Sequence, residues 1–541
     1  MKGSSYVMGR LRKYSAIAAL AAIPLAPAAL GQEITGTLTP NTNIVSDGTM
    51  SAVARAAMDR GALRLDADMA LKAAVNAAGA AAASGTSNSA AALGSSGPLV
   101  PIVKQNIAGQ VDPGVTPPDT FGATGLWRYV QVVNRRVGIY SRAGVLINAN
   151  NLDALFGITA NNFDPQVIWD GSTNRFYYAG DTVVSSTDNR LAWGFSKTNA
   201  PNNATTDWCH YFIPYGSKFP DYPKLGDSSL FTFIGVNNFQ PGFVGSDMVA
   251  VRKPVGTAAI STCPTVGFGI YANLRDATST LVFTPTPGNM IENINNGYSV
   301  SRTLGLPSTR LIIHAFLGGT ATTFPTLQAP RTLNVASYTA PPDAVQPGAT
   351  QRLDTLDARP WQAVISRNPA RGNILTMWTQ HTIDGTNSAT DSDIRYYELR
   401  PDIGAPVSVR TGTIGTGSTA NFFNGAISSD RRLTSAATGD DMVIGYNVSS
   451  SSIFPRIVAG SSIAGAALTF RLIQNGIAPY FDFSCAGAGS TCRWGDYASA
   501  TPDPRPQGGA LQAVGLTHQY AGGGSSTAAG NWKTRIYHID P

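Results

Sequence analysis

From about Pro98 onward the apolar residues come in short runs rich in β-branched and aromatic side chains. "LWRYVQVV", "NRFYYAG", "SLFTFIGV" and "TRLIIHAFL" are examples, each set off by Gly, Asn, Asp or Pro. The turn residues recur roughly every 8–15 positions, which predicts strands joined by short loops. No stretch with a helical period interrupts them, so the region reads as all-β.

About 440 residues is too long for one ordinary sandwich and calls for a repeat. Units can be traced from Pro117, Asp164 and Asp221, around Asn295, and from Leu356, Ala420 and Arg493. Each has a polar opening, a first strand, a Gly/Asn/Asp turn, a hydrophobic second strand and one or two outer strands. Seven units predict a seven-bladed β-propeller of four-stranded antiparallel blades. The last unit shows only three clear strands, ending in "NWKTRIYHID". Its fourth is expected from "GPLVPIVKQN" at 97–106, an N-terminal strand that would close the ring. Two separate β domains are the alternative architecture.

The N-terminus has a different texture. Lys2, Arg10, Arg12 and Lys13 precede a short apolar stretch from Ala16 to Leu25, and small residues at Ala29 and Gly31 suit cleavage before Gln32. Residues 1–31 therefore read as a signal peptide. The apolar run is too short to span a bilayer, so export without stable membrane insertion is expected, to the periplasm or the medium. Residues 32–97 are rich in Ala, Gly, Ser and Thr and read as a spacer, in part helical from about Ser51. Residues 98–541 form the propeller.

Charge narrows the partners. The formal net charge is +6. Four of these positive charges lie in the leader, so the mature chain is nearly neutral. No basic cluster suggests nucleic acid, and a monomer is expected. The four cysteines, Cys209, Cys263, Cys485 and Cys492, are an even number in an exported chain and predict disulfides. Of three possible connectivities the favoured one closes the small loop "CAGAGSTC" through Cys485–Cys492 and leaves Cys209–Cys263. The spacing does not suit zinc.

In a propeller the first strands line the central channel, and their starts share a face with the loops after the second strands. Asp221, Tyr222, Lys224, Arg359, Trp361, Arg493, Trp494, Asp496 and Tyr497 are thereby predicted at one mouth, with Asp164 and Asn424. Loops after second strands would add Asn238, His381, His518 and Tyr520. Such a concave polar and aromatic ring is the default binding site. More ordinary readings exist for several members: Asp164 and Asp221 as turn caps, Trp361 and Trp494 as packing between blades, and His314 as a strand histidine. His210 and His538 fall on outer strands.

"LDTLDARPWQAVISRNPARGNILTMWTQHT", "NFFNGAISSDRRLTSAATGDDMVIGYNVSSSSIFPRIVAG", "DYPKLGD" and "RWGDYASATPDP" together resemble a group of bacterial secreted propellers, loosely related to sialidase-type repeat proteins. The resemblance covers about residues 108–541 and implies the fold and export, with activity mostly unassigned. The Ser-x-Asp-x-Gly-x-x-Trp repeat of true sialidases is absent and no arginine triad can be assigned, so sialidase activity is not expected.

Two functional classes follow. One is an enzyme on extracellular polysaccharide or glycoconjugate. As a lyase it would use His381 or His518 as base, Tyr497 or Tyr520 as acid, and Arg359 or Arg493 to hold a uronate. As a hydrolase it would use Asp221 and Asp496. Arg359, Arg493, Trp361, Trp494, Tyr222, Lys224, Asn238 and Tyr520 are the substrate-binding set. The other class is a non-catalytic glycan- or protein-binding scaffold. A structural Ca²⁺ in the channel, where carbonyls and Asp side chains converge, is the one cofactor suggested, without assigned ligands.

Overall fold

The computed structural model describes residues 33–42, 66–82, 100–111, 114–256, 260–385, 390–487, 489–505, 514–523 and 531–541. The predicted leader and most of the Ala-rich segment lie outside the described residues. Seven antiparallel sheets form the propeller, and their first, innermost strands are Phe121–Thr124, Asn161–Asp170, Phe219–Asp227, Val282–Pro287, Ala363–Asn368, Asn421–Ser429 and Ser499–Pro502 in blades 1 to 7. The chain is one ring, not two domains.

Closure is as the three-stranded last unit predicts. Ile102–Ala108 pairs antiparallel with the C-terminal strand Trp532–Asp540, from Ile102 opposite Asp540 to Ala108 opposite Arg535, and forms the outer edge of blade 7. This strand alternates exposed and half-buried residues. Strands nearer the axis are packed on both faces by neighbouring blades, so Phe231–Phe239 of blade 3 is buried at every position. That is why those strands read as continuous apolar runs rather than alternating ones.

Blade 4 shows where sequence reading slips. Its first strand is "VFTPTP", Val282–Pro287, and the Asn295 region leads instead into its second strand, Gly297–Thr303. Two prolines make the inner strand look like a loop, because proline cannot donate to a ladder except at an edge or a bulge. Here Pro285 sits at a bulge: the register with Gly297–Thr303 shifts between Phe283 and Thr286.

Both disulfides take the favoured pairing, Cys209–Cys263 and Cys485–Cys492, which suits an oxidising compartment. Two pieces of the segment read as a spacer pack against the propeller. Glu33–Leu38 adds a fifth strand to the outside of blade 3. The helix Asp66–Ala82 inserts Lys72, 3% exposed, between the carboxylates of Asp343 (2.7 Å) and Asp354 (2.9 Å). Its ammonium also donates to the Leu356 carbonyl at 2.5 Å. No helix among the described residues is long and apolar enough to cross a membrane.

Candidate functional site

The polar openings have a local structural cause. In blades 2, 3, 4 and 6 the inner strand carries a bulge whose central residue has positive φ: Asp164 (52°), Tyr222 (63°), Thr284 (55°) and Asn424 (52°). The next residue is Pro165, Pro223, Pro285 or Gly425. A bulge leaves one residue unpaired and re-aims its side chain. In blades 2, 3 and 6 it turns a polar or aromatic group toward the middle of the ring. For non-glycine residues this backbone costs about 1–3 kcal/mol each and persists only where the surroundings hold it.

The surroundings are a plug. Two long connections, 339–362 before blade 5 and the described parts of 475–498 before blade 7, fold over the strand-start face. They are joined by a short parallel ladder, Arg352 opposite Thr491 and Leu353 opposite Cys492. Tyr480, Trp494, Trp532, Phe423, Leu353 and the Cys485–Cys492 bridge form its apolar core. Trp494 donates from Nε1 to Asn447 Oδ1 at 3.0 Å, and Thr116 Oγ1 donates to Asp482 at 2.8 Å. The mouth predicted from the sequence is therefore closed. Inside, the channel retains a cavity of only about 10 Å³, bordered by Gln166, Lys224, Thr286, Trp361 and Gln362.

Most of the predicted ring does converge, beneath this plug. Tyr497 donates its hydroxyl to Asp164 Oδ2 at 2.7 Å, and Asp496 N–H donates to Asp119 Oδ1 at 2.7 Å. The Tyr222 and Tyr497 rings stack with centroids 5.1 Å apart, and Lys224 Nζ lies 3.4 Å from both centroids. Arg359 is held by Asp357 through two hydrogen bonds of 2.6 and 2.5 Å and lies over the Tyr222 ring. Arg493 pairs with Asp496 at 2.7 Å. Trp361 donates to the Gly425 carbonyl and serves as packing, as does Trp494.

Burial dominates the electrostatics. It raises the Asp164 carboxyl to about 6, with Asp496 adding to the shift. Asp119 is raised well above the usual range by burial and then Asp496; Asp221 by burial and then Asp164. Asp181 is raised by burial and by Asp164 and Asp221. Burial likewise lowers Lys224 well below its ordinary value, against the pull of Asp164 and Asp496. For Arg493 burial works downward but Asp496 and Asp119 outweigh it, so the guanidinium is held charged. These shifts follow from placing like and unlike charges together out of water.

Four predicted residues stand on second strands rather than on loops. His381 and His518 are not on loops of the mouth but inside the second strands Ile374–Asp384 and Val514–Ala521, both fully buried. His381 has Nδ1 2.9 Å from the Ala358 carbonyl and Nε2 3.1 Å from the Tyr397 hydroxyl. His518 has Nε2 3.1 Å from the Asn424 carbonyl and Nδ1 2.9 Å from the Tyr537 hydroxyl. Burial lowers each to about 3. Both rings thus have each nitrogen beside a protein oxygen inside a buried strand, an arrangement that suits a structural role. Tyr520 lies on the same second strand as His518, paired with Lys533, and Asn238 lies opposite Pro220 in blade 3. Both stand on strands rather than on open loops.

Sequence reading missed three carboxylates of this cluster. Asp119 precedes the first strand of blade 1, in the place that Asp164 holds in blade 2. Asp357 forms the Asp-x-Arg pair with Arg359. Asp181 sits mid-strand in "YYAGDTVV", where nothing in the sequence marks it.

It also missed an open cavity that lies at the far end of the first strands. This cavity holds about 270 Å³ and is bordered by Leu126, Trp169, Asn174, Met290, Arg432 and Leu433, among others. Its other basic side, Arg431, is fixed by Glu292 at 2.7 Å. Among the described residues no Asp, Glu, His or Tyr borders it.

No protein family and no curated protein matches the sequence. Among solved structures the chain is similar to Trypanosoma rangeli sialidase in complex with the inhibitor DANA, at 8% identity and a TM-score of 0.36, over 80% of this chain and 60% of that one. The chain thus spans about three fifths of that sialidase. It is also similar to a neuraminidase-like protein from A/bat/Guatemala/164/2009 (8%, TM-score 0.36, 68% and 96%). The GH93 alpha-L-arabinofuranosidase of Fusarium graminearum is a further neighbour (10%, TM-score 0.34, 64% and 92%). At this level the likeness carries no argument about substrate or mechanism.

Proposed function

We propose that this chain is an exported propeller that binds the end of a polysaccharide or glycoconjugate in the cavity at the far end of its first strands. One observation carries the reading. This cavity combines a tryptophan, Trp169, with the guanidinium of Arg432 and apolar walls, and among the described residues no carboxylate, histidine or tyrosine borders it. Aromatic faces and guanidinium groups recognise sugar rings bearing a carboxylate. Without an acid and a base, glycosidic cleavage there has no proton donor or acceptor. Its volume suits a single terminal residue rather than a long chain.

Calorimetric titration of the purified protein with neutral and uronate-containing oligosaccharides tests this. Saturable binding of a uronate glycan, weakened about tenfold or more by Trp169→Ala and by Arg432→Gln, supports it. Binding untouched by both substitutions, or no binding across the panel, refutes it.

A second, enzymatic reading rests on the hydrogen bond from Tyr497 to Asp164, with Asp496, Arg493 and Arg359 close by. This set resembles the acid, base and carboxylate clamp of a lyase or the acid pair of a hydrolase, and it lies under the plug. It requires the plug to open. New reducing ends or unsaturated uronate absorbance from the same panel, abolished by Tyr497→Phe, would favour it over simple binding.

A further inference from the structure

Beneath the plug, Asp164, Asp181 and Asp221 each present a carboxylate oxygen within 4.8 Å of the other two. They come from two adjacent blades: Asp164 and Asp221 open the inner strands of blades 2 and 3, and Asp181 lies on the second strand of blade 2. All three are at most 2% exposed. Three carboxylates packed so closely out of water repel one another, and something must balance them.

The protein's own cations are fewer than its carboxylates here. The cluster contains Asp119, Asp164, Asp181, Asp221, Asp357 and Asp496 against Lys224, Arg302, Arg359 and Arg493, six carboxylates to four cations. Arg302 and Arg359 pair with Asp357, and Arg493 pairs with Asp496. Lys224 is spent on two aromatic faces and makes no hydrogen bond. Over the whole cluster the carboxylates outnumber the cations by two.

Asp181 is the independent sign. Its carboxylate is 1% exposed, and neither oxygen has a hydrogen-bond partner. The Tyr222 N–H lowers its pKa a little from outside normal hydrogen-bond geometry. Buried carboxylates without partners are rare, and each calls for an explanation such as an ion. We propose that Asp164, Asp181 and Asp221 form a divalent-cation site, of the hard-oxygen class that takes Ca²⁺ or the smaller Mg²⁺, locking blades 2 and 3 together under the plug.

The geometry fits a single ion. Oxygens at 2.3–2.6 Å from a Ca²⁺ lie at most about 5 Å apart, and around Mg²⁺ at most about 4 Å. The three carboxylate oxygens, all within 4.8 Å of one another, are close enough to share one such ion. The Asn238 amide oxygen, buried on the second strand of blade 3 and without a partner, is a neutral oxygen at the same end of that blade. One divalent charge equals the excess. This site would sit off the axis between two blades, unlike the axial channel ion that the sequence suggested. Its role is structural and does not depend on which glycan the far cavity takes.

The test uses the full-length protein, stripped by chelator and titrated with CaCl₂, MgCl₂ and MnCl₂, with elemental analysis of the unstripped protein alongside. The expected result is one equivalent bound per chain and a rise in Tm on the order of 3–5 °C at saturation. Asp181→Asn keeps the shape and is expected to abolish that rise. Removing one of the repelling charges should also make the metal-free variant as stable as metal-free wild type or more so, which separates a lost site from a damaged fold. Binding that survives Asp181→Asn, or a stripped wild type whose Tm no divalent cation moves, would overturn the site. In the second case the carboxyl C=O stretch of protonated Asp181 in infrared spectra would identify protons as the balancing charge.

Discussion

Asp357 and Asp188 make the same ion pair in two environments. Each accepts two hydrogen bonds from an arginine two residues later, at 2.6 and 2.5 Å from Arg359 and at 2.7 and 2.5 Å from Arg190. The Asp357 pair has both side chains at 0% exposure, whereas Arg190 and Asp188 are 31% and 36% exposed. Asp357→Ala would leave the Arg359 guanidinium under the plug without its two carboxylate hydrogen bonds, and would take a carboxylate 3.9 Å away from Arg302 Nη2. Stranding a buried charge costs about 3–5 kcal/mol, while the solvent-screened surface pair is worth under about 1 kcal/mol. Urea unfolding followed by tryptophan fluorescence, with the slope m checked for constancy, measures both. Asp357→Asn, which keeps the shape and one acceptor, should fall between wild type and Asp357→Ala. An Asp357→Ala protein within about 1 kcal/mol of Asp188→Ala at unchanged m would refute the reasoning.

Three further outcomes are expected. His381→Gln and His518→Gln should each lower stability by about 1–3 kcal/mol through unsatisfied buried partners, while glycan affinity per folded molecule stays at the wild-type value. Because both imidazoles are held near 3 when folded, against about 6.5 unfolded, they contribute stability above pH 6.5 that is lost as pH falls; the two Gln variants should show a shallower acid limb in Tm against pH. Asp430 acts in the opposite sense. Burial, then Asp441, raises it to about 7, so its contribution is present at low pH and disappears as pH rises from about 4 through 7, and Asp430→Asn should flatten the decline over that same acid-to-neutral range. Lys72→Met removes the cation between Asp343 and Asp354; amide exchange across residues 69–77 should rise about tenfold or more while the blades keep their protection.

What the sequence determined by itself was periodic. Runs such as "SLFTFIGVNNF" between turn residues specify strands, and seven of them with a three-stranded remainder specify a ring that borrows Ile102–Ala108 to close. The pairing of Cys485 with Cys492 was legible because a short loop brings them together, and so was the gathering of Asp221, Tyr222, Lys224, Arg359, Asp496 and Tyr497, because strand starts in a ring point to one end. Whether that end is open was decided by contacts far apart in sequence: Leu353 beside Cys492, Trp494 on Asn447, Thr116 on Asp482. No local pattern encodes such pairings, so a closed mouth reads the same as an open one. The same holds for the cavity, where Trp169 meets Arg432 from another blade, and for Asp181, whose ordinary strand position gains meaning only beside Asp164 and Asp221. Local periodicity fixes backbone direction through hydrogen bonding, but solvent access and charge balance depend on what the rest of the ring places overhead.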